Sequence, residues 1–534
     1  MNVLEVLSDE VLLSIAEALV SANTTDLLPL IQSSRRLYSL ASHMLLWFPT
    51  ITLGQEGDKH YEDKLQRFSD FALCAQRIVH LRCLQVEFVD LSDKSNPQEV
   101  SQKSFTILQE LLSKASGLRC LFMEPLPDYV SLNYESYRTT IYGLLNRVFE
   151  LENFQELGLN LNTCFIPGIL TLLCSAHWRG PLKSLIIREY NPYDLYEMDF
   201  WAYQPGVKDF EFDPISGLKN IATTLEELSL RLGTRVIIQF GLGKVDLPLV
   251  YPSLRTLDIT STNWELDIPI ERLIETYPNL RMLGITHWLM DDEDSDKEPA
   301  CHTELPLWRK TKNMGARKSL DRLSGTLAHL YSLGLKYPIH CESLCVRHIG
   351  AKNEHILEAL CRLYQPSNLH LGYMYPKRQL SLQESLVACG KNLKTLEVDF
   401  CLRGECETMN IRSILSASLG KTSVKCVSIR IFLVKKFLSK IKENLDEWLK
   451  SVMTKVFGIS DSETEEIRKT AQTETLLISV WNNDGEMLTF SLFMDLEGHK
   501  FDGIPKTFDG CRNHYLGPFA GKNLLCDDEG MYFR

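Results

Sequence analysis

No apolar run in this 534-residue chain approaches the roughly 20 residues that a membrane-crossing helix needs, so no membrane span is expected. The opening MNVLEVLSDE lacks a positively charged stretch ahead of an apolar one, so no signal peptide is expected either. Positive charge is in short supply: 57 Lys and Arg stand against 69 Asp and Glu, a formal net charge of -12. With no segregated basic stripe to hold phosphates, nucleic acid is not an expected partner. The 15 cysteines are odd in number and form no framework, which fits reduced thiols in cytosol or nucleus better than disulfides. Catalytic signatures are missing as well. There is no G-x-x-x-x-G-K-[ST] phosphate loop, no G-x-G-x-x-G, no H-E-x-x-H and no G-x-S-x-G, and GLGKVD holds only G-x-G. The cysteine pairs at 341 and 345 and at 401 and 406 have no second ligand pair at zinc spacing. They read as small buried residues at strand positions. No metal, cofactor or catalytic residue is therefore expected, and the chain is read as a non-enzyme.

What is present is an ordinary folding composition, 44% hydrophobic and 24% charged. Its length exceeds what one compact core sustains, so several domains or an elongated repeat array is expected. A pattern of the form L-x-x-L-x-L returns eleven times: LRCLQV, LRCLFM, FQELGL, LKSLII, LEELSL, LRTLDI, LRMLGI, CESLCV, PSNLHL, LKTLEV and VKCVSI. Their first residues are 81, 118, 154, 182, 225, 254, 280, 341, 366, 393 and 424, and most intervals lie near those of a leucine-rich repeat. Segments with helical spacing fall between them, among them SFTILQELLSKAS, YRTTIYGLLNRVF, GILTLLCSAH, PIERLIETY, EHILEALCRLY and LQESLVACG. One strand and one helix cannot bury their own apolar faces, so the units are expected to stack into an α/β solenoid with the strands on its concave side.

Two intervals are long. The one of 61 residues contains DDEDSDKEPACHTELPLWRKTKNMGARKS, residues 291–319, which has little periodicity and reads as an inserted loop. The one of 43 residues carries an aromatic-rich stretch that includes Tyr193, Tyr196, Trp201 and Tyr203. Aromatic side chains on a rim loop are common anchors for protein recognition, and the alternative is that they fold back as packing. After the last repeat, KKFLSKIKENLDEWLKSVMTKVF predicts an amphipathic helix, and TLLISVWNNDGEMLTFSLF predicts a hairpin around an Asp-Gly turn. The expected organisation is a helical module over 1–50, a repeat array over 51–433 and a helix-plus-hairpin cap with a tail over 434–534.

The first module is built from three short amphipathic helices. Ser8 is placed to cap the first, Asp26 the second (LLPLI), and the third begins near Ser33 or Ser34. So small a bundle buries little surface against roughly 1 to 2 kcal/mol of ordering entropy per residue, so its faces imply docking. The order LSDEVLLSIAEAL…DLLPLIQSSRRLYSLASHMLLW over residues 7–47 resembles the F-box, as found in the large F-box families of filamentous fungi. The repeats behind it resemble the irregular leucine-rich repeats that often follow an F-box. The resemblance implies docking on the Skp adaptor of a cullin-RING (SCF-type) ubiquitin ligase, with the cullin as scaffold. Candidate adaptor-binding residues are Leu7, Leu12, Ile15, Leu19, Leu27, Leu28, Ile31, Leu37, Leu40 and Trp47, some of which must form the bundle's own core. The chain would be a substrate-recognition subunit, cytoplasmic or nuclear, with an unknown protein substrate. The alternative is a repeat scaffold that binds partners without a ligase role, its helices serving only as a cap.

Period-two alternation then selects the strand residues that point away from the core: Glu227, Ser229 and Arg231; Thr256, Asp258 and Thr260; Thr395, Glu397 and Asp399. Of these, Glu227, Arg231, Asp258, Glu397 and Asp399 join the four aromatic residues as substrate-binding candidates. An acid-leaning lining predicts a partner with basic patches.

Overall fold

A computed structural model of the chain describes residues 7–22, 29, 31–54, 58–88, 101–123, 134–162, 165–190, 210–232, 236–238, 249–261, 273, 275–287, 319–327, 330, 340–347, 354–374, 382–402, 424–433, 475–482, 487–494, 524–527 and 530–533. It is a mixed α/β protein that divides into two compact units, Met1–Leu280 and Arg281–Arg534. None of the helices among the described residues is long and apolar enough to cross a membrane.

The first unit opens with α1 (Asp9–Ala22) and α2 (Arg35–Ala41), followed by a 3-10 turn, Ser42–Leu46. Ser8 does cap α1, its Oγ accepting from Val11 N at 3.4 Å. Helices α3 (Lys59–Leu73), α4 (Gln102–Lys114), α5 (Tyr134–Phe149), α6 (Ile166–Ser175) and α7 (Pro214–Gly217) follow. Its sheet runs β1 (Thr50–Leu53), β2 (Cys83–Phe88), β3 (Cys120–Met123), β4 (Glu156–Asn162), β5 (Ser184–Tyr190), β7 (Glu227–Leu232) and β9 (Thr256–Ser261). Each strand pairs in parallel with the next. Two short strands, β6 (Phe210–Phe212) and β8 (Val236–Ile238), form a separate parallel pair.

The second unit carries β10 (Met282–His287), β11 (Ser319–Thr326), β12 (His340–Arg347), β13 (Asn368–Met374), β14 (Thr395–Leu402), β15 (Cys426–Leu433) and β16 (Thr475–Asn482), again neighbours in chain order and parallel. β16 pairs antiparallel with β17 (Met487–Met494), as the expected hairpin requires, and the Asp-Gly turn itself lies outside the described residues. Helices α8 (Glu354–Tyr364) and α9 (Leu382–Ala388) lie between its strands in sequence, and β18 (Leu524–Asp527) pairs with β19 (Gly530–Phe533).

All eleven L-x-x-L-x-L segments open or lie within a parallel strand. The reason is visible in the backbone. The carbonyl of the second residue of a repeat accepts two N–H groups from the next one, as in Arg119 N and Cys120 N to Arg82 O (2.7 and 3.0 Å) or Lys425 N and Cys426 N to Lys394 O (2.8 and 3.0 Å). The three apolar positions then fall on the covered face, as Leu81, Leu84 and Val86 do in the first repeat and Leu393, Leu396 and Val398 in the tenth. Burying each such side chain contributes about 1.5–3 kcal/mol, which offsets the ordering of its strand.

Strand β11 lies inside the 61-residue interval and was not anticipated. Its sequence, LDRLSG, keeps the first two apolar positions, Leu320 and Leu323, both buried, but carries Gly325 at the third. Gly325 is there because backbone crowds it: a Cβ would stand 2.1 Å from the carbonyl oxygen of Ile285. Ser319, read as the end of the insertion, is the first residue of this strand. The amphipathic helix expected over 435–457 lies outside the described residues.

Candidate functional site

Two places concentrate chemistry. The first is the N-terminal helical segment. Arg36 binds it together: its guanidinium pairs with Asp9, Nε lying 2.8 Å from Oδ1, and Nη2 donates to Leu7 O at 3.0 Å. Ala16, Ile31, Ala41 and Met44 form its core, with Leu13, Leu45 and Trp47 packed against them. Leu12 and Leu37 are buried too. Outside that core remain Val11 (43% exposed) and Ile15 (37%), four residues apart on one face of α1, with Tyr38 (42%) on α2 and Phe48 (51%) beyond the 3-10 turn. Among the described residues these four are half of the large apolar side chains that stand exposed.

Of the adaptor-binding candidates, the structure thus places Leu12, Ile31 and Leu37 in the bundle's interior and Ile15 outside it. Leu7, Leu40 and Trp47 are half-buried. Leu19 belongs to α1, but its side chain lies outside the described residues, as do Leu27 and Leu28. Val11, Tyr38 and Phe48 were missed. The signal for Val11 was present in the spacing of α1, whereas nothing local distinguishes Tyr38 or Phe48. The segment is also fastened to the sheet behind it, with Trp47 O accepting from Cys83 N at 2.8 Å and Pro49 O from Gln85 N at 3.1 Å.

The second place is the sheet itself. In the first unit the alternate strand positions stay half-exposed: Glu227, Ser229 and Arg231 on β7 lie in register with Thr256, Asp258 and Thr260 on β9. Glu227 accepts from Ser184 Oγ at 3.2 Å, and Asp258 Oδ1 has no hydrogen-bond partner among the described residues. Tyr193, Tyr196, Trp201 and Tyr203 lie outside the described residues.

In the second unit Thr395 on β14 is half-exposed, but the two positions that follow it on the same face are sealed. Glu397 and Asp399 are not an open lining: Asp399 is 0% exposed and Glu397 is buried beside it. Register explains this. It sets Cys345 opposite His370, His370 opposite Glu397, and Asp399 opposite Arg430, so complementary groups from four strands meet. Arg430 Nε donates to Asp399 Oδ1 (2.6 Å) and its Nη2 to Asp399 Oδ2 (3.2 Å) and Glu397 Oε2 (3.3 Å). His370 Nε2 lies 2.6 Å from Asp399 Oδ2 and 3.0 Å from Arg430 Nη2, and because an ionised carboxylate only accepts, a proton on Nε2 serves the shorter contact. Its Nδ1 lies 3.1 Å from Cys345 Sγ.

Burial alone would pull the His370 imidazole down, but the Cys345 sulfur and the Asp399 carboxylate outweigh it and push the group up to about 10. Burial would likewise raise Asp399, and the Arg430 and His370 charges instead hold it below the usual carboxylate range. For Glu397 burial wins, and its carboxyl is raised despite Arg430. One oxygen of Glu397, Oε1, and the nearby Ser428 Oγ have no hydrogen-bond partner among the described residues. A thiol, an imidazole and a carboxylate in this order are the parts of a nucleophilic relay. Here all three are buried and Arg430 forks the carboxylate, so the arrangement as it stands is an internal ion-pair network that ties β12 to β15. Among the described residues no group of His, Cys, Asp and Glu could hold a metal ion.

No protein-family model matches this chain, and no curated protein matches it either.

Proposed function

We propose that this chain is a substrate-recognition subunit of a cullin-RING (SCF-type) ubiquitin ligase, non-catalytic itself. In this reading residues 7–47 are an F-box-like module that docks on the Skp adaptor. The parallel strands behind it are irregular leucine-rich repeats closed by the β16–β17 hairpin, and they hold a protein substrate. Ubiquitin transfer then depends on the effective concentration of the substrate's lysines near a charged enzyme elsewhere in the complex. The observation that carries the reading is the uneven placement of exposed apolar side chains, with Val11, Ile15, Tyr38 and Phe48 all in one short segment that also has a buried core of its own. Ile15 and the half-buried Leu7, Leu40 and Trp47 are the adaptor contacts, while Leu12, Ile31 and Leu37 hold the bundle together. The half-exposed Glu227, Arg231 and Asp258 belong to the substrate face.

The test is co-purification of the Skp adaptor with the full chain and with a Val11→Glu/Ile15→Glu variant. Both side chains are outside the core, so the variant should fold with an unchanged melting temperature and lose at least about tenfold in adaptor capture, the usual scale for charging a buried contact. Undiminished capture would refute the docking role of α1. A second reading, a partner-binding scaffold whose helices only cap the sheet, is favoured by the bonds from Cys83 N and Gln85 N to Trp47 O and Pro49 O. It predicts no adaptor capture by either protein.

A further inference from the structure

At the start of the first unit's sheet, three reactive side chains stand side by side on the face away from the core. Parallel register sets Cys83 on β2 opposite Cys120 on β3, and Cys120 opposite Glu156 on β4. The residues that follow each of them, Leu84, Leu121 and Leu157, are buried, so alternation turns the two thiols and the carboxylate the other way. Both cysteines are half-buried, whereas Cys341, Cys345, Cys361 and Cys389 are fully enclosed.

Neighbouring strands lie about 4.7–4.9 Å apart, inside the roughly 4.4–6.8 Å range of Cα separation that a disulfide spans. Cys120 hydrogen-bonds with the Cys83 sulfur on one side and with Glu156 on the other, sharing its single proton between them. This donation holds the Cys83 thiol below its ordinary value against the opposing effects of burial and Glu156, while the same bond, burial and the Glu156 charge keep Cys120 protonated. The two sulfurs are therefore unequal: Cys83 is the more acidic thiol, and Cys120 has a carboxylate beside it.

We propose that Cys83, Cys120 and Glu156 form a reversible oxidation site at which a hydroperoxide converts the two thiols into a disulfide between β2 and β3. The Cys83 thiolate attacks the terminal peroxide oxygen; an S–O bond forms, the O–O bond breaks, and the alkoxide or hydroxide leaves and is protonated by water. Cys83 is now a sulfenic acid, oxidised by two electrons that the peroxide has taken up. Glu156 then accepts the proton of Cys120, and the new thiolate attacks the Cys83 sulfur. The S–S bond forms as the S–O bond breaks, and the departing hydroxide leaves as water with the proton from Glu156. A thiol reductant reverses the change by exchange.

The experiment treats the reduced full chain with less than one equivalent of hydrogen peroxide, alkylates the remaining thiols and maps the peptides by mass spectrometry. The first oxidation product should be a Cys83–Cys120 linked peptide, two hydrogens lighter than its parts and lost on reduction. In Cys120→Ser the reaction should stop at a Cys83 sulfenic acid that a 1,3-dione probe captures. Glu156→Gln should still form that sulfenic acid but close the disulfide at least about tenfold more slowly, the low end for loss of a positioned base. The wild-type map needs no variant to fold. Oxidation of Cys74 or another cysteine ahead of the pair, absence of the linked peptide, or unslowed closure in Glu156→Gln would overturn the proposal.

Discussion

Replacing Arg430 with leucine tests the buried network most directly. Arg430 donates to both oxygens of Asp399 and to Glu397 from a position as enclosed as theirs. The leucine fills most of the volume but leaves Asp399, 0% exposed, with His370 as its one counter-charge among the described residues. Removing one partner of a buried pair costs about 3–5 kcal/mol, because the other charge keeps its desolvation penalty and loses the attraction that offset it. For a unit of this size each kcal/mol moves the melting temperature by about 2–4 °C, so the second unit should melt roughly 6–20 °C lower. Arg430→Lys should fall between, since an ammonium keeps the charge but cannot fork across Asp399. Differential scanning calorimetry follows the melt, and hydrogen exchange in β14 and β15 locates it. A variant that melts within about 2 °C of the parent would show that the network contributes less than about 1 kcal/mol, which refutes the pairing as a stabilising feature.

Two other outcomes follow from the same geometry. His370 is raised in the folded chain from its ordinary 6.5 to about 10, so its contribution is complete below about pH 6.5 and is lost as pH rises toward 10. The melting temperature should therefore drop more steeply over that window in the parent than in His370→Asn, and parallel curves would contradict it. Asp399 has the opposite sense: held below its ordinary value, it contributes above about pH 4 and loses that contribution as pH falls through its folded value. Gly325→Ala should destabilise the second unit by about 1–3 kcal/mol through the clash with Ile285 O and accelerate amide exchange in β10 and β11, and unchanged exchange would show that the strands part without strain.

Much of the strand order could be read from the chain alone. Leu81, Leu84 and Val86, and the ten later triplets, announce strands because alternation is a property of one segment and its own side chains. Helices α4, α5, α6, α8 and α9 were legible for the same reason, their apolar spacing being local. Gly325 hid β11 by removing the third apolar residue, and only the neighbouring strand's carbonyl explains the removal. Helix α3, with few apolar residues on a largely polar sequence, gave no comparable sign.

What the sequence by itself determined is which segments are strands, which are helices, and which face of each is greasy. Whether the other face meets water was decided elsewhere. Asp258 and Glu397 occupy equivalent places in their repeats, yet one is half-exposed and the other enclosed beside Arg430. The meeting of Cys83 with Cys120, and of Cys345 with His370, Asp399 and Arg430, depends on register between strands some 25 to 37 residues apart. A side chain's partners across a sheet are set by hydrogen bonds that no single segment contains, so those encounters belong to the tertiary structure alone.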